Sequence, residues 1–374
     1  MTVRDVGTVV VGAGPAGLAC AASLRRAGEP ALLLERAASI GASWRRHYDR
    51  LHLHTDRKRS ALPFVPYPAS DGRYPSRDAV VRYLEGYAAT LGLEPRLGEE
   101  VGSLRRAAEG WTVSTSRARY RARNVIVATG YARVPVRPEW PGQGSFRGAV
   151  LHSSEYRNGA PFAERDVLVV GFGNSGGEIA LDLAEHGARP TMSVRGPVNI
   201  VPRDILGIPV LALSEVTARL PTWLADGLTG PLRRLLRGNL ERYGLRRLDY
   251  GPMCQIREHA RVPLIDIGTI AGIRRGAIRV RPGIASFGAR SVRFVDGREE
   301  PFDAVVLATG YRPRVDELLG DDPVLDGGGT PLRSGVESAP GLYFCGFWVS
   351  PFGMLREIGR ESVAIAEAVA ARRA

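Results

Sequence analysis

The chain has 374 residues, is 44% hydrophobic and 24% charged, and carries a formal net charge of +12. This length allows two or three domains with substantial cores, and the composition is typical of a soluble globular protein. Because Lys58 is the only lysine, the charge comes from arginines spread along the chain without interleaved aromatic residues, which does not favour nucleic-acid binding.

Several further classes are excluded by what the sequence lacks. No apolar stretch of about 18 residues is free of glycine and charge, so no transmembrane helix is predicted. The N-terminus enters a strand without a basic leader and a cleavage site, which predicts a cytoplasmic protein. The three cysteines, Cys20, Cys254 and Cys345, form neither a CxxC pair nor a metal spacing, so we expect no disulfide framework and no redox dithiol.

The first predicted unit is a strand, a glycine loop, a helix and a second strand: "TVVVGAGPAGLACAASLRRAGEPALLLERA". Gly12 would make the tight turn, Gly14 would let a pyrophosphate approach the backbone, and Gly17 would let helix and strand pack closely. Glu35, at the end of the second strand, would accept hydrogen bonds from an adenosine ribose. This context predicts a dinucleotide-binding fold with the phosphates at the helix N-terminus.

A second unit repeats this pattern in "DVLVVGFGNSGGEIALDLAEHGARPTMSVRGP", where Gly171, Gly173 and Gly176 take the same three roles. Its second strand is followed by Arg195 and has no acid at its tip. An acid would repel a 2′-phosphate, whereas arginine can bind one with two charge-assisted hydrogen bonds. The second unit therefore favours NADPH over NADH, although Arg195 could also be an ordinary surface arginine.

Both units close on an apolar strand and a small-residue turn, in "RNVIVATGY" with Gly130 and "FDAVVLATGY" with Gly310. The remaining tail is too short for a domain, so we expect it to return to the first unit. The predicted fold is α/β, with two Rossmann-like domains and the NADPH domain inserted into the FAD domain. The predicted boundaries are 1–160 and 314–374 for the FAD domain and 161–313 for the NADPH domain.

The tail bears on the identity of the first cofactor. Ser350 followed by Pro351 resembles an N-cap and a first helical residue, which would start the C-terminal helix near the bound molecule. A helix N-terminus favours negative charge, as on a reduced flavin, so we predict FAD in the first unit and NADPH in the second. NADPH beside FAD implies hydride transfer to the flavin. Without a CxxC pair, the next electron acceptor is either an external carrier or oxygen.

Between the two units lies "FRGAVLHSSEYRNG", which fits the motif FxGxxxHxxx(Y/F) of flavin-containing monooxygenases. The matching residues are Phe146, Gly148, His152 and Tyr156. In that family the motif lies at the domain junction and is linked to NADP handling, which makes His152 a positional marker more than a base. The alternative is a helix-entry loop with a satisfied histidine.

Further segments resemble the YUCCA-type branch of this family, the plant indole-3-pyruvate monooxygenases. They include "GASWRRHYDRLHLHT", "GFGNSGGEIALDLAEHGA" and "FVDGREEPFDAVVLATGYRP". With the glycine loops, the residues expected to contact FAD are Gly12, Gly14, Gly17, Glu35, Arg36, Trp44, Arg45, Gly130 and Gly346. Those expected to contact NADPH are Gly171, Gly173, Asn174, Ser175, Gly176, Arg195 and Gly310.

His54 is the candidate catalytic residue. The resemblance places it where animal-type members have an asparagine beside the flavin and YUCCA-type members a histidine. A neutral imidazole could donate a hydrogen bond to a peroxyflavin or to a substrate carbonyl. A purely structural His54 stays open, and so few ligands accompany His52, His54 and Asp56 that no metal site is predicted.

The resemblance implies a monooxygenase that uses FAD, NADPH, O2 and a C4a-(hydro)peroxyflavin on a small organic substrate. An anionic aryl 2-oxo acid such as indole-3-pyruvate would be decarboxylated, whereas an amine or sulfide would be oxygenated at N or S. The other class left open is an NADPH-dependent reductase or oxidase that produces H2O2. The oligomeric state is not predicted.

Two segments depart from this pattern. "FWVSPFGM" is bulkier and more apolar than the basic, glycine-rich turn of the plant enzymes, which leaves indole-3-pyruvate itself open. The arginine-rich residues 223–248 could form a lid over the substrate, a weakly membrane-bound surface helix or a solvated face. Of these we favour the lid.

Overall fold

The computed structural model describes residues 3–217, 220–227 and 239–372, and its chain divides into two units. The first unit consists of Met1–Arg45, Thr55–Val134 and Tyr311–Ala374. The second consists of Arg46–His54 and Pro135–Gly310.

The secondary structure alternates strands and helices within each unit. In chain order the strands are β1 (Val3–Val11), β2 (Leu32–Glu35), β3 (Arg96–Leu97), β4 (Val101–Arg106), β5 (Trp111–Thr115), β6 (Arg119–Val127), β7 (Val134–Pro135), β8 (Ala149–His152), β9 (Asp166–Val170), β10 (Arg189–Ser193), β11 (Ile200–Pro202), β12 (Asp204–Ile205), β13 (Ile208–Pro209), β14 (Leu264–Asp266), β15 (Arg279–Arg281), β16 (Ile284–Phe287), β17 (Ser291–Phe294), β18 (Glu299–Pro301), β19 (Ala304–Leu307), β20 (Tyr311–Arg312), β21 (Glu337–Ala339) and β22 (Leu342–Phe344). The α-helices are α1 (Pro15–Arg26), α2 (Ala42–Arg45), α3 (Arg57–Ser60), α4 (Arg77–Thr90), α5 (Asn174–Glu185), α6 (Val210–Thr217), α7 (Pro252–Arg257), α8 (Thr269–Arg274), α9 (Asp316–Leu319) and α10 (Met354–Ala371). Short 3-10 helices are Ala69–Asp71, Gln143–Ser145, Ala160–Phe162 and Glu241–Tyr243.

The first unit is built on a sheet with the strand order β21-β22-β6-β1-β2-β3. Strands β22, β6, β1, β2 and β3 are parallel, as expected where helices connect successive strands. Strand β6 also pairs antiparallel with β5, which extends the sheet through the β4–β5 hairpin. Its core contains Val9, Val125, Leu342 and Phe344, which are fully buried.

In the same unit, the C-terminal helix α10 packs against α1. The Ser23 and Ser362 hydroxyls are 3.2 Å apart at this contact, where small side chains allow close approach. The predicted start of α10 at Ser350 and Pro351 is wrong, because the helix begins at Met354 after Gly353, whose φ is 94°. Ser350 instead forms a preceding turn, in which its hydroxyl accepts from Phe352 N at 3.1 Å.

The second unit is built on a parallel sheet with the order β15-β10-β9-β19-β8. Our sequence-based boundary placed β8 in the first domain, but β8 pairs with β19 across more than 150 residues of chain, with His152 opposite Leu307. The second unit therefore begins at Pro135 rather than at residue 161. A long-range pairing of this kind leaves no local mark in the sequence.

The short segment Arg46–His54 also belongs to the second unit, although its sequence neighbours belong to the first. Its Tyr48 is 2% exposed and lies in the same core cluster as Val169 and Ile179. Asp49 N donates to Arg157 O at 2.8 Å. Burial and backbone pairing thus fix this segment, and with it His54, in the second unit.

The predicted lid at residues 223–248 falls partly outside the described residues, because 228–238 lie in the gap. Of the described part, Trp223 is 75% exposed, whereas Leu240 and Leu245 are buried in the core of the second unit. The C-terminal end of the segment is therefore a packed part of this unit rather than a surface helix. Among the described residues, no helix combines the length and apolar character needed to cross a membrane.

Candidate functional site

The first glycine loop lies between β1 and α1. Gly12 adopts φ 105°, and its N donates to Leu34 O at 2.7 Å, which ties the turn to β2. A Cβ on Gly17 would lie 1.7 Å from Gly12 O, so only glycine allows helix and turn to approach this closely. A Cβ on Gly14 would meet nothing within 4 Å. The space beside Gly14 is the place where a phosphate could approach the uncapped N-terminus of α1.

Glu35 lies at the tip of β2, as the sequence predicts. Its carboxylate accepts from Ala13 N at 2.7 Å and from Ala37 N at 2.8 Å. A carboxylate has about four lone-pair sites, so these two bonds orient the group and leave further acceptor sites for ribose hydroxyls. The residues of the first loop thus fit an adenine dinucleotide.

The second glycine loop, between β9 and α5, repeats this geometry. Gly171 adopts φ 117°, and its N donates to Ser193 O at 3.0 Å. A Cβ on Gly176 would lie 2.5 Å from Gly171 O, and a Cβ on Gly173 would meet nothing within 4 Å. Close packing and open space therefore fall at the same relative positions as in the first loop. The N-terminus of α5 also has no side-chain cap, so the second loop fits a second dinucleotide.

The residues predicted to contact NADPH around the second loop differ in whether their side chains are exposed or already hydrogen-bonded. Arg195 lies two residues beyond β10 with an exposed side chain. Asn174 instead uses its side-chain oxygen to accept from Ile265 N at 2.7 Å, which holds β14 against the start of α5. Ser175 is half-buried in the first turn of α5. Asn174 thus shapes the loop, and Arg195 is the side chain available to a nucleotide phosphate.

The glycines predicted to close each site fall into two types. Gly130 and Gly310 have φ near 90° and open space where a Cβ would be. Gly346 is packed: a Cβ would lie 3.2 Å from Ala16 and from Ile358, and its N donates to Glu361 at 2.6 Å. Burial raises the pKa of Glu361. The carboxyl group that holds the backbone of Gly346 therefore lies inside the first unit, away from solvent.

The remaining residues predicted to contact FAD are on the surface of the first unit. Trp44 is half-buried on α2, and Arg45 pairs with Glu85. Arg36 is 3.9 Å from Glu100 in an exposed ion pair. Their contacts with a cofactor stay predictions.

In the motif that carries the family resemblance, His152 is fully buried at the end of β8. Its Nδ1 accepts from Ser154 N at 3.1 Å and its Nε2 donates to Gly310 O at 3.1 Å, which fixes the tautomer. Burial lowers the pKa of His152. A neutral histidine with both ring nitrogens bonded anchors the turn at Gly310 and is not a free base.

The other motif residues pack the second unit. The buried Tyr156 hydroxyl donates to Asp182 Oδ2 at 2.6 Å, and burial raises its pKa. The Phe146 ring lies 5.4 Å from the Phe287 ring, and a Cβ on Gly148 would lie 2.6 Å from that Phe146 ring. The motif is therefore a structural signature whose residues connect β8 to its neighbours.

His54 has a partner that we did not predict. Its Nε2 lies 2.9 Å from Oε1 of Glu178 on α5, and the two side chains are 17% and 3% exposed. The sequence could have indicated a buried acid here, since Glu178 is one of two acids among the small and apolar residues of "GGEIALDL". His52 Nδ1 contacts Arg50 O at 2.8 Å and Asp56 caps α3, so the three side chains of the rejected metal site make separate contacts.

Comparisons with known proteins agree with this geometry. Residues 9–204 match the family described as pyridine nucleotide-disulphide oxidoreductase. Indole-3-pyruvate monooxygenase YUCCA1 of Oryza sativa subsp. japonica is 41% identical over 355 residues, which cover 91% of this chain and 86% of that protein. The YUCCA-type resemblance predicted from the sequence is thereby confirmed.

Solved structures give the same fold. A flavin-containing monooxygenase from Stenotrophomonas maltophilia has a TM-score of 0.77 and 26% identity, covering 99% of this chain and 100% of that one. A bacillithiol disulfide reductase from Bacillus cereus, at 20% identity and a TM-score of 0.73, covers 99% of this chain and 100% of its own and shares the fold alone. The predicted fold with two Rossmann-type domains is confirmed, and a flavin and a nicotinamide cofactor are implied. The chain therefore belongs to the YUCCA-type flavin monooxygenases, within the pyridine nucleotide-disulphide oxidoreductase family.

Proposed function

We propose that this enzyme binds FAD at the first glycine loop and NADPH at the second, and oxygenates a 2-oxo acid such as indole-3-pyruvate. The observation that carries the proposal is the 41% identity to a rice indole-3-pyruvate monooxygenase over 91% of this chain and 86% of that protein. The family match over residues 9–204 includes both glycine loops and the His54 segment. The net reaction is 2-oxo acid + O2 + NADPH + H⁺ → acid shorter by one carbon + CO2 + H2O + NADP⁺.

The ends of the second strands support this assignment of the two cofactors. In the first unit Glu35 ends β2 and accepts from two backbone N–H groups, an arrangement suited to a ribose diol. In the second unit the corresponding residue after β10 is the exposed Arg195, which suits a 2′-phosphate. The acid and the arginine favour FAD and NADPH, respectively.

The protein side of the mechanism is binding, orientation and proton handling. When bound, the flavin and the nicotinamide would supply the redox and oxygen chemistry. The backbone N–H groups at the starts of α1 and α5 would hold the two pyrophosphates. Buried His152, bonded at both nitrogens, holds the Gly310 turn in place, and His54 is the candidate group that can exchange a proton.

The loop that departs from the plant pattern favours a 2-oxo acid with an aryl side chain. Phe347 and Val349 are 5% and 4% exposed and pack inside the first unit, while Trp348 is 48% exposed. The exposed Trp348 ring suits an aryl side chain of the substrate better than a charged one. Indole-3-pyruvate and phenylpyruvate fit this description.

The test is NADPH oxidation by the purified flavoprotein with indole-3-pyruvate, phenylpyruvate, a tertiary amine and a thioether, with product and H2O2 measured together. We expect one decarboxylated acid per NADPH with the pyruvates and little H2O2. NADPH loss matched by H2O2 with every compound would refute the oxygenase proposal. A cytoplasmic location is also proposed, and cell fractionation tests it.

A further inference from the structure

His54 and Glu178 form a side-chain pair in the second unit, in which Glu178 is buried and His54 is 17% exposed. Glu178 lies on α5, two residues after Gly176 of the second glycine loop, and is 3% exposed. A buried carboxylate is costly unless it is paired and hydrogen-bonded. The 2.9 Å contact between Oε1 of Glu178 and Nε2 of His54 supplies one such partner.

Each member of the pair keeps one polar atom unused. Among the described residues, Nδ1 of His54 and Oε2 of Glu178 are buried and have no hydrogen-bond partner. A buried polar atom without a partner costs about 1–3 kcal/mol. The two nitrogens of an imidazole point in widely divergent directions, so Nδ1 faces away from Glu178. A ligand group that bonds Nδ1 would recover this cost.

Other charged side chains of the segment and of α5 already have their own partners. Arg50 pairs with Glu185 on the last turn of α5, Asp49 accepts from Asn158, and Asp182 accepts from Tyr156. The Asp49 contact holds the Arg46–His54 segment, whereas the Arg50 pair is made with a Glu185 side chain that is 52% exposed and contributes little. None of the three uses His54 or Glu178. The position of His54 is therefore set by its segment, while its ring orientation is set by Glu178.

The number of protons on the pair decides what Nδ1 can do. With a neutral ring and an ionised Glu178, the ring proton must lie on Nε2, because a lone pair there would face the carboxylate. Nδ1 is then an acceptor only. With one proton more on the ring, Nδ1 carries a hydrogen and becomes a donor. The neutral donor expected from the sequence alone therefore conflicts with an ionised Glu178.

We propose that Glu178 is a positioning residue that holds the His54 ring through Nε2, so that Nδ1 is the ring nitrogen left to bond a ligand. The proposal deepens the proposed function and rests on it for the identity of the reaction. In it, Nδ1 accepts a hydrogen bond from an N–H or O–H group of the bound ligand, while Nε2–H keeps its bond to Glu178.

The first test is ¹⁵N NMR of the histidine rings in the purified flavoprotein, with His54 assigned by H54N. We expect the neutral His54 ring to carry its hydrogen on Nε2, and E178A to populate both tautomers. E185Q removes the other carboxylate of α5 that pairs with the segment, so it should keep the wild-type tautomer. A neutral wild-type ring protonated at Nδ1, or an E178A ring unchanged from wild type, would overturn the proposal.

The second test is a double-mutant cycle on turnover. Because Glu178 acts through His54, E178A should lower kcat about tenfold with little change in the KM for NADPH, and E178A combined with H54N should be no slower than H54N. E185Q should match wild type. Additive losses in the double variant would indicate a structural role and contradict the proposal. Absence of product from the wild-type enzyme would instead refute the proposed function, and the NMR result would still decide the pairing.

Discussion

The first glycine loop offers a test that separates folding from cofactor binding. Substitution of Gly17 by alanine would place a Cβ 1.7 Å from Gly12 O and 2.9 Å from Gly12 C. Real Cβ atoms stay at least 3.0 Å from such atoms, so the oxygen and the new carbon must separate by 3.0 − 1.7 = 1.3 Å. The obstacle is backbone in a turn at φ 105°, tied to β2 by the 2.7 Å bond from Gly12 N to Leu34 O.

The size of this clash sets the expected loss in the free energy of unfolding. Overpacking that side chains can relieve costs about 1–3 kcal/mol, and a backbone clash of this size should reach the upper end or exceed it. For a domain of 150–250 residues, a loss of about 3 kcal/mol corresponds to a fall in the unfolding midpoint of roughly 6–12 °C. The matched control is G14A, since Gly14 has φ −81° and no atom within 4 Å of an added Cβ.

The assay is thermal unfolding of the cofactor-stripped proteins followed by circular dichroism, together with flavin content from absorbance. We expect G17A to unfold early, and G14A to keep nearly the wild-type midpoint but bind flavin poorly, because its methyl group fills the space beside the phosphates. A wild-type midpoint for G17A would refute the packing argument. Wild-type flavin binding by G14A would refute the position assigned to the phosphates.

The other predictions concern the second unit. R195A should raise the KM for NADPH about 10- to 100-fold with little effect on NADH, whereas equal effects on both would contradict the 2′-phosphate assignment. Y156F should cost about 1.5–3 kcal/mol in urea unfolding, because it removes a hydrogen bond to buried, charged Asp182; a loss below ~0.5 kcal/mol would contradict this. Burial lowers the pKa of His152 below the ordinary histidine value of 6.5, so the unfolded chain binds this proton more readily. Its stabilisation should therefore be lost as the pH falls from about 6.5 towards the lowered value, and H152Q should flatten the pH dependence of stability over that range.

Local signals in the sequence predicted the nucleotide loops well. The spacing of Gly12, Gly14 and Gly17 implies a tight turn, an open approach and a close contact, and the structure has all three. The same holds for Gly171 and Gly176. These features depend on backbone conformation within a few residues, which is why the residue types alone indicate them.

Features that depend on distant contacts were missed or misplaced. The start of α10, predicted at Ser350, was misplaced for a local reason instead: that hydroxyl bonds Phe352 N and Glu357 in a turn, and the helix begins at Met354. The boundary at residue 161 ignored the pairing of β8 with β19. Glu178 was not predicted as a site residue because its partner, His54, lies 124 positions earlier in the chain. Only the fold brings the two together.

In the proposed reaction, one atom of O2 enters a 2-oxo acid at the expense of NADPH. The most direct measurement is turnover of indole-3-pyruvate under ¹⁸O2 with mass spectrometry of the product acid and simultaneous measurement of CO2. We expect one labelled oxygen in the carboxylate of the shortened acid and one CO2 released for each NADPH consumed. An unlabelled acid, or NADPH consumption that ends only in labelled H2O2, would contradict it.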